Sequence, residues 1–335
     1  MCLAMELLKY AEEVGKEVEE FIYNVIKGEP LRVYEASLHY IKAGGKRLRP
    51  LVVILASRIA GGSEEIAIPG AAAVEVLHTF TLIHDDIIDK DELRRGVPTV
   101  HKLWGTDMAI IAGDLLFAYA YKCLLKALEL GVSSDRVAKA IEALTDAAIT
   151  VAEGQALDMM LPEVREARVE DYITMVSKKT AALFAYSAKI GGILAGAPEE
   201  FLLNIFNIMM NAGVAFQIRD DILGLVGDEK VLGKPVYSDL REGKRTVLVI
   251  YALNNVNLEK KAKLLKILGN RNASLDELKE AAKIILESGA LEYSESLAEM
   301  YATRALELLN ELKPVNVEAF DMFKELIRFM IKRRY

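Results

Sequence analysis

Apolar residues recur at three- and four-residue spacing through most of the chain, and strict alternation of apolar with polar positions is nearly absent. That period predicts an all-α protein. Helices are expected near Leu3 to Lys27, Leu31 to Lys42, Leu48 to Ala60 and Glu65 to Lys90. Longer ones should follow near Asp107 to Leu130, Ser134 to Leu161, Val169 to Ala195 and Glu199 to Val226, with shorter helices in the last third. The eight prolines (Pro30, Pro50, Pro69, Pro98, Pro162, Pro198, Pro235 and Pro314) fall at breaks or first turns, so they punctuate helices. Segments around Ala71 to Ile83, Asp107 to Tyr121 and Ile205 to Ile218 are apolar on most of their surface and should line the interior of one bundle. With no Ser/Pro-rich linker, repeat or low-complexity stretch, the expected organisation is a single domain over residues 1–335.

Composition narrows the class. A chain of 335 residues with 52% apolar content can bury a large core. Its 42 Lys and Arg against 49 Asp and Glu give a net charge of -7, and the basic residues gather only in short clusters, which does not suit a general nucleic-acid binder. Cys2 and Cys123 are too few for a disulfide framework or a thiolate metal site and suit a reducing cytosol. The N-terminal MCLAMELLKYAEEVGKEVEEF reads as an acidic amphipathic helix rather than an export signal. Apolar stretches are either too short for a bilayer, as in PLVVILASRIAGG, or carry an acid, as Asp114 does in MAIIAGDLLFAYAY. The expectation is a cytoplasmic protein with no transmembrane segment.

The segment LHTFTLIHDDIIDKDELRRG interrupts a strongly apolar helix with Asp85, Asp86 and Asp89. At about 100° per residue, Asp85 and Asp89 share one face a turn apart while Asp86 points roughly a quarter turn away. Such oxygen-only ligands suit Mg²⁺ that also holds substrate phosphates. A second acidic pair, Asp220 and Asp221, ends another apolar helix in FQIRDDILG. If the two helices face each other, Asp85, Asp89 and Asp220 could clamp a diphosphate through bridging metals. Basic residues supply the rest: Lys46, Arg47 and Arg49 in GGKRLRP, Arg94 and Arg95 in ELRRG, Lys178 and Lys179 before Thr180, and Lys234 and Lys244 around KPVYSDLREGK. Each alone is ordinarily a solvated surface charge; together with paired carboxylates they describe a site for two polyanions. Gly44 and Gly45 would let the backbone approach phosphate closely. The chain has no P-loop, HExxH, GxSxG or GxGxxG motif. Of the four histidines, His78 lies two turns below Asp85 near the same face and is the candidate for touching substrate, while His84 suits a packing or hydrogen-bonding role.

GGKRLRP, DDIIDKDELRRG, KT, FQIRDD, GK and EGK, in that order, resemble the trans-type polyprenyl diphosphate synthases, and most closely the archaeal-type geranylgeranyl diphosphate synthases. The resemblance implies an isoprenoid synthase bundle around a deep central cavity, usually a homodimer. It implies Mg²⁺, about three ions with bound diphosphate, on Asp85, Asp89 and Asp220, with Asp86 and Asp221 behind them. It further implies that Lys46, Arg49, His78 and Arg95 hold isopentenyl diphosphate, and that Arg94, Lys179, Gln217, Lys234 and Lys244 hold an allylic diphosphate (dimethylallyl, geranyl or farnesyl). Thr180 would shield the allylic cation formed as diphosphate departs; the released diphosphate then removes the proton after condensation. Asp85, Asp89, Arg94, Lys179, Thr180 and Lys234 would thus carry catalysis. Gly224 stands where the family's second acidic motif ends in aspartate.

Product length is a question of depth below Asp85. Thr81 lies one turn down the same face, Val74 about three turns down, and Phe80 to the side. By resemblance, an aromatic residue five positions before the first aspartate makes Phe80 the main stop, with Thr81, Leu77 and Val74 as further chain-length residues and a C20 product ahead of C15. A class I terpene cyclase would need (N/D)DxxSxxxE, but Gly224 and Asp228 occupy the last two positions. A noncatalytic partner subunit need not keep both acidic sites.

Overall fold

The computed structural model describes residues 3–164, 166–227 and 236–331. It is all-α apart from a two-stranded hairpin, β1 (Leu93–Arg94) paired antiparallel with β2 (Val97–Pro98). The helices are α1 (Leu3–Val25), α2 (Leu31–Ser37), α3 (His39–Lys42), α4 (Leu48–Ile59), α5 (Glu64–Asp89), α6 (Val100–Trp104), α7 (Thr106–Leu125), α8 (Ser134–Met160) and α9 (Val169–Val176). A π-helical turn, Ser177–Ala181, joins α9 to α10 (Ala182–Ala195). Then come α11 (Glu199–Val226), α12 (Ser238–Glu242), α13 (Val247–Asn255), α14 (Leu258–Ile267), α15 (Leu275–Glu287), α16 (Ala290–Glu311) and α17 (Val317–Ile331).

The chain divides into two compact units, each assembled from separated segments. The first takes in the described residues of Met1–Ala148, Leu183–Met209 and Glu307–Arg328. Its centre is α5, whose residues Ala71, Ala72, Ala73, Val74, Val76 and Leu77 are wholly buried. Small residues let neighbours come close: a β-carbon on Gly70 would meet Leu194 and Ile190 of α10, and one on Gly191 would lie 2.1 Å from the Val53 carbonyl of α4. Ser63 caps the start of α5 by accepting from the Ile66 amide, and Lys90, in the left-handed conformation at φ 59°, ends it. The second unit takes in the described residues of Ile149–Ala182, Met210–Leu306 and Phe329–Tyr335. Its core joins Tyr172 and Val176 of α9 to Val214, Ile218 and Ile222 of α11 and to the apolar faces of α13 and α15.

Several expected details change. The helix expected over Leu31 to Lys42 breaks at Leu38, and the one over Val169 to Ala195 is interrupted by the π turn. Pro69 sits at the sixth position of α5, beyond its first turn, where it leaves the Glu65 carbonyl without the usual amide partner. The last third is not uniformly short, since α16 runs for 22 residues. α7 is not an interior helix throughout: Ile110, Ile111 and Phe117 are exposed. By length and composition alone, Glu64–Asp89, Thr106–Leu130 and Glu199–Val226 are apolar enough to cross a membrane, so helix length does not exclude a span as the sequence reading had it.

Candidate active site

In the first unit, Asp85 and Asp89 occupy the last turns of α5, both partly exposed, whereas Asp86 between them is fully buried. The hairpin explains the difference. It brings Arg94 back against the helix end, where its Nε donates to Asp86 at 2.7 Å and its Nη2 lies 3.3 Å from Asp91. The Tyr40 hydroxyl also donates to Asp86 and accepts from the Val100 amide at 3.2 Å. Burial would weaken the Arg94 charge, but Asp86 and Asp91 outweigh it and hold the guanidinium ionised. Asp86 therefore anchors the hairpin, and Asp85 and Asp89 are the pair turned a different way.

Those two carboxylates fit Mg²⁺ by their chemistry: hard oxygens one turn apart, partly open to solvent. Among the described residues no three His, Cys, Asp or Glu side chains converge as a complete metal cage. A cation there would draw its remaining ligands from water or phosphate, which is how Mg²⁺ is ordinarily held.

The GGKRLRP loop folds through Gly44 at φ 83° and Gly45 at φ 156°, with Arg47 left-handed at φ 45°. Arg47 leaves the candidate set, for its side chain turns inward. Its Nη1 lies 2.5 Å from Glu75, its Nε 2.9 Å from Glu19, and its Nη2 donates to the Ile41 carbonyl at 2.7 Å. Lys46 is exposed. Arg49 lies over the Phe184 ring at 4.2 Å, and its Nη1 donates to His78 Nε2 at 3.2 Å. Because a guanidinium can only donate, Nε2 is the acceptor and the His78 proton sits on Nδ1. Burial brings Arg49 down to about 10. It also holds His78 well below the usual imidazole range, with Arg49, Arg95, Arg94 and Arg47 adding to the effect, so the ring is neutral. Arg95 reaches back to the loop, donating to the carbonyls of Tyr40 and Gly44, and a β-carbon on Gly45 would strike its guanidinium.

Phe80 packs edge-on against His84 at 4.8 Å and against Phe117 of α7 at 5.3 Å, and Phe117 in turn meets Tyr121. His84 also contacts the Ile110 carbonyl at 3.2 Å. Thr81 is partly buried and donates to the His78 carbonyl. Val74 and Leu77 are completely buried, so Phe80 and Thr81 are the chain-length candidates with open surface.

In the second unit the π turn carries Lys179 and Thr180. Two glycines grip it: a β-carbon on Gly154 of α8 would lie 2.2 Å from the Lys179 nitrogen, and one on Gly213 of α11 would lie 2.7 Å from Ala181 Cα. π turns of this kind concentrate at functional sites. Lys179 Nζ donates to Asp158 at 2.6 Å, and the Thr180 hydroxyl donates to Gln217 Oε1 at 2.9 Å. Gln217 Nε2 donates to Asp221 at 2.7 Å, as does the Tyr172 hydroxyl. Burial, and next the charge of Asp239, push Asp221 up to about 7 against those two donors. Asp220 is partly exposed. The Lys244 Nζ pairs with Glu242 at 2.8 Å while its amide donates to the Asp239 carbonyl. Lys234, Asp228 and the terminal KRRY lie outside the described residues.

Sequence reasoning missed Tyr40, Tyr172, Asp158 and Asp239. Asp239 was visible inside KPVYSDLREGK between two noted lysines, but nothing local marked it. Nothing local set Tyr40 or Tyr172 apart, and only a buried hydroxyl, which needs a partner, could have signalled more.

An all-α fold whose helix α5 ends in two partly exposed aspartates a turn apart suits an enzyme that handles diphosphate esters through Mg²⁺. A profile of the polyprenyl synthetase family matches residues 31–285. The geranylfarnesyl diphosphate synthase of Aeropyrum pernix is 47% identical over 318 residues, spanning 94% of this chain and 99% of that protein. The geranylgeranyl diphosphate synthase of Sulfolobus acidocaldarius is 45% identical over 325 residues, spanning 97% and 98%. The crystal structure of geranylgeranyl pyrophosphate synthetase from Pyrococcus horikoshii matches with a TM-score of 0.90 at 38% identity, covering 98% of this chain and 99% of that one. The chain belongs to the polyprenyl synthetase family. It is a prenyltransferase, a prenyl diphosphate synthase of the short-chain type. Enzymes of this family join isopentenyl diphosphate to an allylic diphosphate and in general depend on magnesium.

Proposed function

We propose that the protein makes geranylgeranyl diphosphate, C20, by adding isopentenyl diphosphate to dimethylallyl, geranyl or farnesyl diphosphate. The observation that carries the product length is Phe80, five positions before Asp85 and braced by His84 and Phe117. The relatives' names divide between C20 and C25 products, and a braced aromatic ring favours the shorter.

Asp85 and Asp89, with Asp220, would hold about three Mg²⁺ ions, which supply positive charge to the diphosphate oxygens. The chain's own residues do the rest. Lys179, Arg94, Lys234 and Lys244 bind the allylic diphosphate and stabilise it as it departs. Lys46, Arg49 and Arg95 bind isopentenyl diphosphate, and neutral His78 completes that set. Arg49, part-buried and with its buried Nε lacking a hydrogen-bond partner, presents a guanidinium whose charge is poorly solvated; an anion there gains from its field. Thr180, whose proton goes to Gln217, presents an oxygen dipole to the allylic cation.

Residues 1–335 act as a single isoprenoid synthase-type domain. Supporting this, the division between the two units falls inside α8, α11, α16 and α17 rather than in a linker. The protein is a cytoplasmic homodimer without a transmembrane segment. The exposed apolar face of α7, with Ile110 and Ile111, supports the dimer, and the 67% burial of the apolar stretch of α5 supports a soluble fold.

The test is mass-spectrometric analysis of products formed from isopentenyl and dimethylallyl diphosphates with Mg²⁺, beside a chelated control. A metal-dependent C20 diphosphate is expected. A C15 or C25 product would overturn the depth assignment, and absence of elongation with every primer would overturn the substrate assignment.

A further inference from the structure

A threonine inside an α-helix ordinarily gives its hydroxyl proton to the carbonyl four residues back. Thr79, Thr145 and Thr174 do so here, to Glu75, Ile141 and Glu170, each at 2.8 Å. Thr180 differs. It lies in the π turn, and its proton goes sideways to Gln217 Oε1 at 2.9 Å.

The direction of that bond is set two residues further on. An amide has a donating end and an accepting end, and Gln217 could face Thr180 with either. Its Nε2 is drawn to Asp221 Oδ1 at 2.7 Å, because a carboxylate accepts and does not donate. The other oxygen, Asp221 Oδ2, accepts from the Tyr172 hydroxyl at 2.7 Å. Tyr172 is only 1% exposed and packed into the core of its unit, so its proton has a fixed aim. Donors at both oxygens hold Asp221 as an acceptor, which turns the Gln217 nitrogen away from Thr180 and its oxygen toward it. Thr180, with its one proton taken, has only lone pairs left for its open side.

We propose that Tyr172 is a positioning residue for the allylic cation: acting through Asp221 and Gln217, it turns the Thr180 hydroxyl so that oxygen lone pairs, not the proton, face the substrate. The proposal rests on the synthase reading above. A hydroxyl free to rotate would present its positive end part of the time and weaken the charge–dipole attraction that favours ionisation of the carbon–oxygen bond. Tyr172 never touches substrate; its effect should therefore vanish when the hydroxyl it controls is gone.

The test is a double-mutant cycle of wild type, Tyr172→Phe, Thr180→Val and the double variant. Each is assayed with dimethylallyl and isopentenyl diphosphates for kcat, both KM values and Mg²⁺ requirement. Tyr172→Phe keeps the ring and its packing. It is expected to lower kcat about tenfold, the effect of one hydrogen bond, with KM and Mg²⁺ requirement unchanged, and to have no further effect in the Thr180→Val background. Multiplying losses, an unchanged kcat, or a loss appearing as a raised Mg²⁺ requirement would overturn the relay. If thermal melting shows Tyr172→Phe unfolded, Gln217→Met takes its place in the same cycle. A wild type that fails to elongate any primer would instead overturn the synthase reading itself.

Discussion

The carboxylate of Asp239 stands 2.9 Å from the point a β-carbon on Gly224 would occupy. Gly224 is the position where the second acidic motif departs from its family's pattern, and the space of the absent side chain is taken by an acid from the following segment. Gly224→Asp, which restores the motif on paper, should therefore set two carboxylates against each other beside Asp221. A loss of roughly 1–3 kcal/mol in stability and no gain in elongation rate are expected from thermal melting and turnover assays. Adding Asp239→Asn to that variant should recover part of the stability.

His78 predicts a pH dependence. The folded protein holds its imidazole well below the usual value, chiefly by burial and then by neighbouring arginines, whereas in the unfolded chain it takes a proton below about pH 6.5. Its contribution to stability is thus fully present above that pH and is lost as pH falls toward the folded value, by up to about 1.4 kcal/mol per unit. His78→Gln should flatten the melting temperature of the protein between about pH 7 and about pH 5 relative to wild type. Parallel curves for the two proteins would remove His78 as the source.

Phe80→Ala should lengthen the product to C25 or beyond, read by mass spectrometry, at a stability cost of roughly 1–3 kcal/mol for a partly buried ring. Phe117→Ala, which removes the brace at 5.3 Å and leaves Phe80 in place, should shift the distribution less. An unchanged product from both would locate the floor at other residues.

Gly154→Ala places a methyl group against backbone, 2.2 Å from the Lys179 nitrogen and 2.6 Å from the Lys178 carbonyl carbon. Neither atom can yield without moving the π turn. Elongation should fall at least tenfold while the fold loses about 1–3 kcal/mol, since Lys179 and Thr180 ride on that turn. Retained activity with lowered stability would separate the turn's geometry from catalysis.

What the sequence revealed follows what is local. α11 was expected and found over Glu199–Val226 because Pro198 precedes its start and apolar residues recur at helical spacing along it. That Asp86 faces away from Asp85 and Asp89 was foreseeable from helical angle; its burial against Tyr40 and Arg94 was not. The π turn was not, because SKKTA contains no helix breaker; it is held by Gly154 and Gly213 of other helices, which are remote in sequence. The inward turn of Arg47 was equally hidden, since a left-handed arginine looks like any other in a basic cluster, and its partners Glu19 and Glu75 lie 28 residues away on either side. Exposure of α7 escaped a reading based on apolar content, which measures preference for leaving water and does not say what provides the cover.

α5 bears, in order along one rod, Glu75 that fixes the glycine loop, His78 beside Arg49, Phe80 against α7, and the aspartates at its end. A helical turn advances about 5.4 Å, close to the length one isoprene unit adds to an extended chain. On the proposed function the helix is a graduated scale read from a fixed zero at Asp85, and exchanging a side chain at one of its marks should alter what length is released while leaving the groups that perform the chemistry untouched. Product choice and reactivity would then drift independently, although a single helix carries both.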